Sequence, residues 1–406
     1  MDVSLQKSAV IGKPEINISG SKSETNRLLL LQALHPGIDL KNSSDSDDSR
    51  LMSAALSSTG EVIDIGHAGT AMRFLTAYFA IKSGRSVMLT GSERMKQRPI
   101  KILVDALRSL GADIRYVEKE GYPPLKIVGK NLSGQKVSIE SEVSSQYISA
   151  LLLIAASLEN GLQIELQGKP ASLPYIDLTL ALLSDVGITA LSENNRIIVP
   201  PALSKLAGRT IIIESDWSSA SYFYSIVALS DIGTQLQLST FNPNSRQGDS
   251  KLAYIYEAFG VETEFISGSV KLTKKHFEPH FINLDLSDTP DLAQTIAVTC
   301  LGLGLGCELS GLSTLPIKET DRLSALRNEL QNLGATVATT ASSLTMQAAA
   351  QIISNVAINT YDDHRMAMAF APLAIKVPLV IKDSKVVSKS YPAYWDDLRK
   401  IGFEFV

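Results

Sequence analysis

The sequence predicts an α/β protein of two domains, each built from three copies of a βαβαββ unit. Three observations lead there: the length of the chain, a repeat of fixed period, and a second set of apolar helices in step with that repeat. A chain of 406 residues is longer than one hydrophobic core usually serves, so two domains are expected before any motif is read. With 45% hydrophobic residues, both can bury a core.

The repeat shows as an amphipathic helix pattern that ends on a large apolar residue and glycine and runs into a strand-like segment. It recurs at ALRSLGADIRYV, ALLSDVGITAL, IYEAFGVETEF, LRNELQNLGATVA and WDDLRKIGFEFV, with a weaker first copy at SRLMSAALSSTGEVIDI. Gly111, Gly187, Gly260, Gly334 and Gly402 thus fall roughly 70–75 residues apart, each where a helix end needs a left-handed residue.

Each unit also holds an earlier helix: SGSKSETNRLLLLQAL, HAGTAMRFLTAYFA, SSQYISALLLIAAS, DWSSASYFYSIVAL, DTPDLAQTIAVTCL and DDHRMAMAFAPLAI. Their Ser, Thr, Asp and Gly openings suit N-caps, and Ser21 with Glu24 fits a capping box. Because they are nearly apolar throughout, these helices belong inside their domains with only the N-terminal tips facing outward. Summed helix N-termini in a cleft would form an anion trap. Short alternating segments such as SVMLTG, LKIVG, VSIE and RIIV read as strands. Strand-like runs meet helix starts near Ser19–Ser21 and Ser215–Trp217, so the expected domains are 1–19 with 217–406, and an inserted 20–216.

A formal net charge of -4 removes any general attraction to nucleic acid or anionic lipid, so an anion site must be local. Cys300 and Cys307, in TCLGLGLGCEL, have no CxxC pairing or neighbouring histidine; they read as buried thiols, with no metal site expected. MDVSLQKSAV carries no cationic leader and no run could span a bilayer, so a cytoplasmic protein is expected.

The chemistry-bearing residues gather at helix starts. GSKSETNR sets Lys22, Ser23 and Arg27 where amides, an ammonium and a guanidinium can share one anion. HAGTAMR offers Gly69, Thr70 and Arg73, the last also suited to pairing a carboxylate. ERMKQRP crowds Arg94, Lys96 and Arg98, a repulsion that an anion would relieve and that solvent exposure would also tolerate. SSQY supplies Ser144, Ser145 and Gln146, more hydroxyl and amide groups than one cap requires, and SLPYID adds Ser172 and Tyr175. IKETDR places Lys318, Glu319, Asp321 and Arg322 together, a carboxylate beside cations that could move a proton. DTPD carries Asp291, DDHRM carries Asp363, His364 and Arg365, and KSYP carries Lys389. Capping or a solvated face could explain any one of these; recurrence in nearly every unit argues for a shared anion site.

In these motifs and their order, over almost the whole chain, the sequence resembles the 5-enolpyruvylshikimate-3-phosphate synthases, or 3-phosphoshikimate 1-carboxyvinyltransferases. The resemblance implies two inside-out α/β barrel domains closing around shikimate-3-phosphate and phosphoenolpyruvate, without cofactor or metal, in a monomer with no nucleic-acid or membrane partner. It implies enolpyruvyl transfer from phosphoenolpyruvate to the 5-hydroxyl, with phosphate released, in the shikimate pathway of aromatic amino acid biosynthesis. By the family pattern, Lys22, Ser23, Arg27, Ser144, Ser145, Gln146, Ser172, Asp291 and Lys318 would meet shikimate-3-phosphate. Lys22, Gly69, Arg94, Gln146, Arg322, Arg365 and Lys389 would hold phosphoenolpyruvate, with Asp291, Glu319 and Lys22 moving protons. The chain departs from the pattern at Ser19, His67, Thr314 and Pro316. Two other readings stand beside this one: a UDP-N-acetylglucosamine enolpyruvyl transferase, whose acid is typically a loop cysteine or aspartate, and a non-enzymatic anion binder, which would need no paired carboxylates.

Overall fold

Five helices stop where glycine can turn the chain left-handed: Gly111, Gly187, Gly260, Gly334 and Gly402 have φ of 104°, 91°, 72°, 98° and 110°. Among the described residues of this computed structural model, which are all except 143, 169–171 and 203–207, four of those turns lead into a hairpin. The hairpins are Asp113–Tyr116 with Leu125–Val128, Leu191–Glu193 with Arg196–Val199, Val261–Ile266 with Ser269–Lys274, and Val337–Thr339 with Leu344–Met346. In each, the return strand pairs antiparallel with an earlier strand, which itself pairs parallel with the first strand of the unit. The result is the same four-stranded order in four sheets, as a repeated βαβαββ unit requires.

The fifth unit is completed from the other end of the chain. Val356–Ile358 runs parallel to Leu379–Ile381, Val3–Leu5 adds antiparallel to the latter, and Phe405, just past Gly402, bridges to Leu5. The sixth departs from the expected full unit. Among the described residues its sheet contains only Arg209–Ile212 parallel to Ile38–Lys41. The helix Asp47–Ser57 ends at Ser58 in extended backbone instead of on a left-handed glycine, so the chain runs straight on into Val62–Asp64 of the next sheet without a hairpin.

The chain divides into two units, 20–213 and a discontinuous one of 1–19 with 214–406. The second crossing thus falls at Ile213/Glu214 instead of after 216. Local bonding explains the shift: the Glu214 carboxylate accepts from Trp217 Nε1 (2.8 Å) and Asn242 N (2.9 Å), and Ser215 Oγ donates to the Ile18 carbonyl.

Each unit has its own apolar core. In 20–213 it forms around the helices Gly69–Ile81 and Ser145–Ala155, buried on nearly every side. In the discontinuous unit Trp217–Leu229, Ala293–Gly302 and His364–Phe370 play the same part. Cys300 and Cys307 are free, buried thiols of that core. Ser21, Ser144, Asp216 and Asp363 cap their helices through side-chain oxygens. Among the described residues no helix is long and apolar enough to cross a membrane.

Candidate active site

In the unit 20–213, Lys22 opens the helix Lys22–Leu34, and its ammonium lies 3.4 Å from Asp48, a buried carboxylate on the helix Asp47–Ser57. Arg27, further along the first helix, is 2% exposed. Its Nε donates to Thr179 Oγ1 at 2.7 Å, Nη2 to Ser149 Oγ at 3.1 Å and Nη1 to the Ser23 carbonyl at 2.8 Å. The guanidinium also stands over the Phe74 ring at 5.3 Å. Burial among these neutral partners pulls the group down to about 10, against the pull of Tyr175 and Glu24. Sequence reading placed Arg27 at an anion; the structure shows it also ties three helices together.

The tip of the helix Gly69–Ile81 meets that of Ser145–Ala155, where Gln146 Nε2 donates to Thr70 Oγ1 at 3.3 Å. A Cβ at Gly69 would meet the buried Arg98 guanidinium, so the two lie this close only because Gly69 has none, and a larger residue would require the Arg98 tip to move. The expected crowd of Arg94, Lys96 and Arg98 is dispersed. Lys96 pairs with Glu93 (3.1 Å) and Glu118 (3.2 Å), Arg98 lies beneath Gly69, and half-buried Arg94 precedes the turn Met95–Gln97. Surface acids thus offset the charge of Lys96. Arg73 donates to the carbonyls of Gly69 and Pro99. His67, exposed, has its Nδ1 3.0 Å from Ser92 Oγ. Ser144 caps its helix, Ser145 is buried behind it, and Ser172 enters the helix Leu173–Asp185 with φ 54° and no capping bond.

In the discontinuous unit the predicted residues form one ion-pair network. Asp291 sits in the turn Pro290–Leu292 ahead of the helix Ala293–Gly302 and, instead of capping it, meets three cations. Arg322 Nη1 lies at 2.9 Å, Arg365 Nη2 at 3.0 Å and Lys318 Nζ at 3.9 Å. Glu319 is held by Arg322 Nη2 (2.8 Å) and Lys389 Nζ (3.2 Å). Arg322, fully buried, spends its remaining donors on Asp363, at 2.7 and 3.2 Å. Adjacent Lys318 and Glu319 thus serve different partners, as neighbours on a chain must. Asp321 has the bland role of N-cap to Ser324. Pro316 lies in the turn Leu315–Ile317 that delivers Lys318, and the neighbouring Thr314 hydroxyl is buried with no hydrogen-bond partner among the described residues.

Electrostatics in this network oppose one another. Burial would raise the Asp291 carboxyl, but Arg365, Lys318 and Arg322 hold it well below the usual carboxylate range. Burial would lower Arg322, while Asp363, Glu319 and Asp291 raise it and fix its charge. Two members escaped sequence reading. Ser218, one residue into the helix Trp217–Leu229, accepts from Arg365 Nη2 at 3.3 Å and donates to buried Asp249. Burial first, and then Asp291, push Asp249 up to about 6. The QGD segment that carries Asp249 and the acidic run that carries Asp48 look like ordinary polar turns; only packing marks them.

Among the described residues no cluster of metal-ligating side chains occurs. Carboxylates embedded among cations in a repeated βαβαββ frame suit proton transfer on anionic substrates. The fold is shared with the solved EPSP synthase from Acinetobacter baumannii, with TM-score 0.78 at 20% identity over 100% of this chain and 99% of that one. It is shared also with the enolpyruvyl transferase NikO from Streptomyces tendae, with TM-score 0.74 at 13% identity over 100% and 98%. The fold is thus of the enolpyruvyl transferase class.

The family model for EPSP synthase (3-phosphoshikimate 1-carboxyvinyltransferase) matches residues 53–398. A 3-phosphoshikimate 1-carboxyvinyltransferase from Bacteroides fragilis is 47% identical over 397 residues, 96% of each chain. One from Photobacterium damsela subsp. piscicida is 38% identical over 416 residues, 95% of this chain and 96% of that one. The chain belongs to the 3-phosphoshikimate 1-carboxyvinyltransferase family and is an enolpyruvyl transferase of the shikimate pathway. These matches favour neither the UDP-N-acetylglucosamine enzyme nor a mere anion binder.

Proposed function

We propose that the chain joins C2 of phosphoenolpyruvate to the 5-oxygen of shikimate-3-phosphate and then expels phosphate, by addition followed by elimination. In the addition, Asp291 takes the hydroxyl proton while Glu319 and Lys22 supply a proton to the methylene carbon, giving a tetrahedral adduct. In the elimination that carbon returns its proton, the bond from C2 to the phosphate oxygen breaks, and the enol ether forms. Arg94, Arg322, Arg365 and Lys389 would neutralise the phosphoenolpyruvate carboxylate and phosphate, with Gly69 and Gln146 at its side. Lys22, Ser23, Arg27, Ser144, Ser145, Gln146, Ser172, Asp291 and Lys318 would take the acceptor. No cofactor or metal enters this scheme, and a cytoplasmic monomer without nucleic-acid partners fits it.

The observation that carries the reading is the setting of Asp291 among Arg322, Arg365 and Lys318. Those cations make it a weak base by themselves. Substrate anions that engage the same cations would cancel their pull, so that Asp291 gains basicity when the acceptor is in place. Phosphate release from phosphoenolpyruvate should depend on shikimate-3-phosphate, with UDP-N-acetylglucosamine inert as control acceptor. Asp291→Asn and Glu319→Gln should each cut turnover by about 10²–10⁴-fold while calorimetric titration still detects ligand binding. Normal turnover in both amide variants would refute these roles.

A further inference from the structure

The loop that carries Asp363 and leads into the helix of Arg365 has a backbone shape that needs support. Between the strand Val356–Ile358 and the helix His364–Phe370, Tyr361 (φ 54°) and Asp362 (φ 55°) are consecutive left-handed residues. Side chains disfavour that region, and two such residues in succession persist only where their surroundings hold them. Support comes from Glu329, fully buried on the helix Arg322–Asn332. Its Oε1 accepts from the Tyr361 hydroxyl at 2.6 Å and from Asn359 Nδ2 at 3.2 Å. Its Oε2 accepts from the Asn359 backbone N–H at 3.2 Å and from Asn332 Nδ2 at 3.4 Å. A buried carboxylate is tolerated only with its lone pairs engaged, and three of these donors belong to the loop.

The same helix begins at Arg322, which grips both oxygens of Asp363. Asp363 in turn accepts from the Arg365 backbone N–H at 2.9 Å. Helix and loop are therefore clamped at two points about two helical turns apart, and the clamp sets where Arg365 stands relative to Arg322. We infer that Glu329, acting through Tyr361 and Asn359, is a positioning residue that spaces Arg322 and Arg365 for the phosphoenolpyruvate anion. This rests on the proposed assignment of those two arginines. Glu329 meets no reacting atom in that scheme, so its loss acts through the two arginines: it weakens phosphoenolpyruvate capture most and reaches the acceptor side only through Asp291, which both arginines hold.

The test measures kcat, the KM of each substrate and the thermal midpoint for Tyr361→Phe and Glu329→Gln, beside Arg365→Lys. Tyr361→Phe deletes one hydroxyl from an exposed ring, so it reports even if Glu329→Gln fails to fold. The expected result is a phosphoenolpyruvate KM raised roughly tenfold in Tyr361→Phe, with kcat and the shikimate-3-phosphate KM changed by clearly less. If Arg365→Lys raises the phosphoenolpyruvate KM and Tyr361→Phe does not, the clamp is overturned. If Arg365→Lys itself leaves that KM unchanged, the assignment beneath it fails instead. A lowered thermal midpoint in Tyr361→Phe with both KM values intact would make Glu329 structural only and would also overturn the inference.

Discussion

Asp249 is 4% exposed, bonded to Ser218 and repelled by Asp291, and its carboxyl stands at about 6 against an ordinary 3.8. The sign of its effect follows from linkage. Between 3.8 and about 6 the folded chain keeps a proton that the unfolded chain has lost, so stability falls as pH rises through that window. Above it the penalty is complete, at most about 3 kcal/mol. Asp249→Asn should therefore raise the thermal midpoint at pH 7.5 and change it little at pH 4, as followed by circular dichroism. Equal shifts at both pH values would mean that packing, not charge, governs the site. Asp291 differs at the same scale: a carboxylate of the same type, also desolvated, is held ionised because Arg365, Lys318 and Arg322 face it. Local sequence marked Asp291, through its place in DTPD, and passed over Asp249, whose neighbours along the chain carry no comparable signal.

At the scale of elements, the helix stops show how much a short segment decides. Gly111 has φ 104°, and a Cβ there would meet nothing closer than Ser133 Oγ at 3.9 Å, so space is available and only the backbone objects. Gly111→Ala should cost about 1–2 kcal/mol, read as a lower denaturant midpoint, with catalysis intact. A neutral result would show that the left-handed turn is not needed to end the helix Lys101–Ser109. The helix Asp47–Ser57, which lacks such a glycine, runs on without a hairpin, and the unit that ends at Gly402 also has none, taking Val3–Leu5 from the other end of the chain instead.

At the scale of the molecule, each of the two units carries its own core and its own buried arginines. Arg27 binds Thr179, Ser149 and the carbonyls of Ser23 and Tyr175, all within 20–213. Arg27→Met should weaken that unit by about 2–3 kcal/mol, since hydrogen bonds to a charged donor are lost while Ser149 and Thr179 remain bonded to each other. Scanning calorimetry should then resolve a lower transition for that unit beside an unmoved one. A single transition shifted as a whole would rule out separate unfolding.

The α/β class, the repeat, the buried helices with polar tips and the family were legible in the sequence alone. Their signals are local: a helix stop, a cap and an apolar face are each written within a few consecutive residues, and the motifs keep a characteristic order. Which carboxylate would face which cation was not legible. Arg322 meets Asp363 across 41 positions and Arg365 meets the Asp291 segment across 74. The sequence likewise left ERMKQRP as a crowd of cations that packing then separated. Spacing along a chain specifies direction only within one element, so pairings between elements were decided by how the helices pack, and with them the opposite shifts of Asp249 and Asp291.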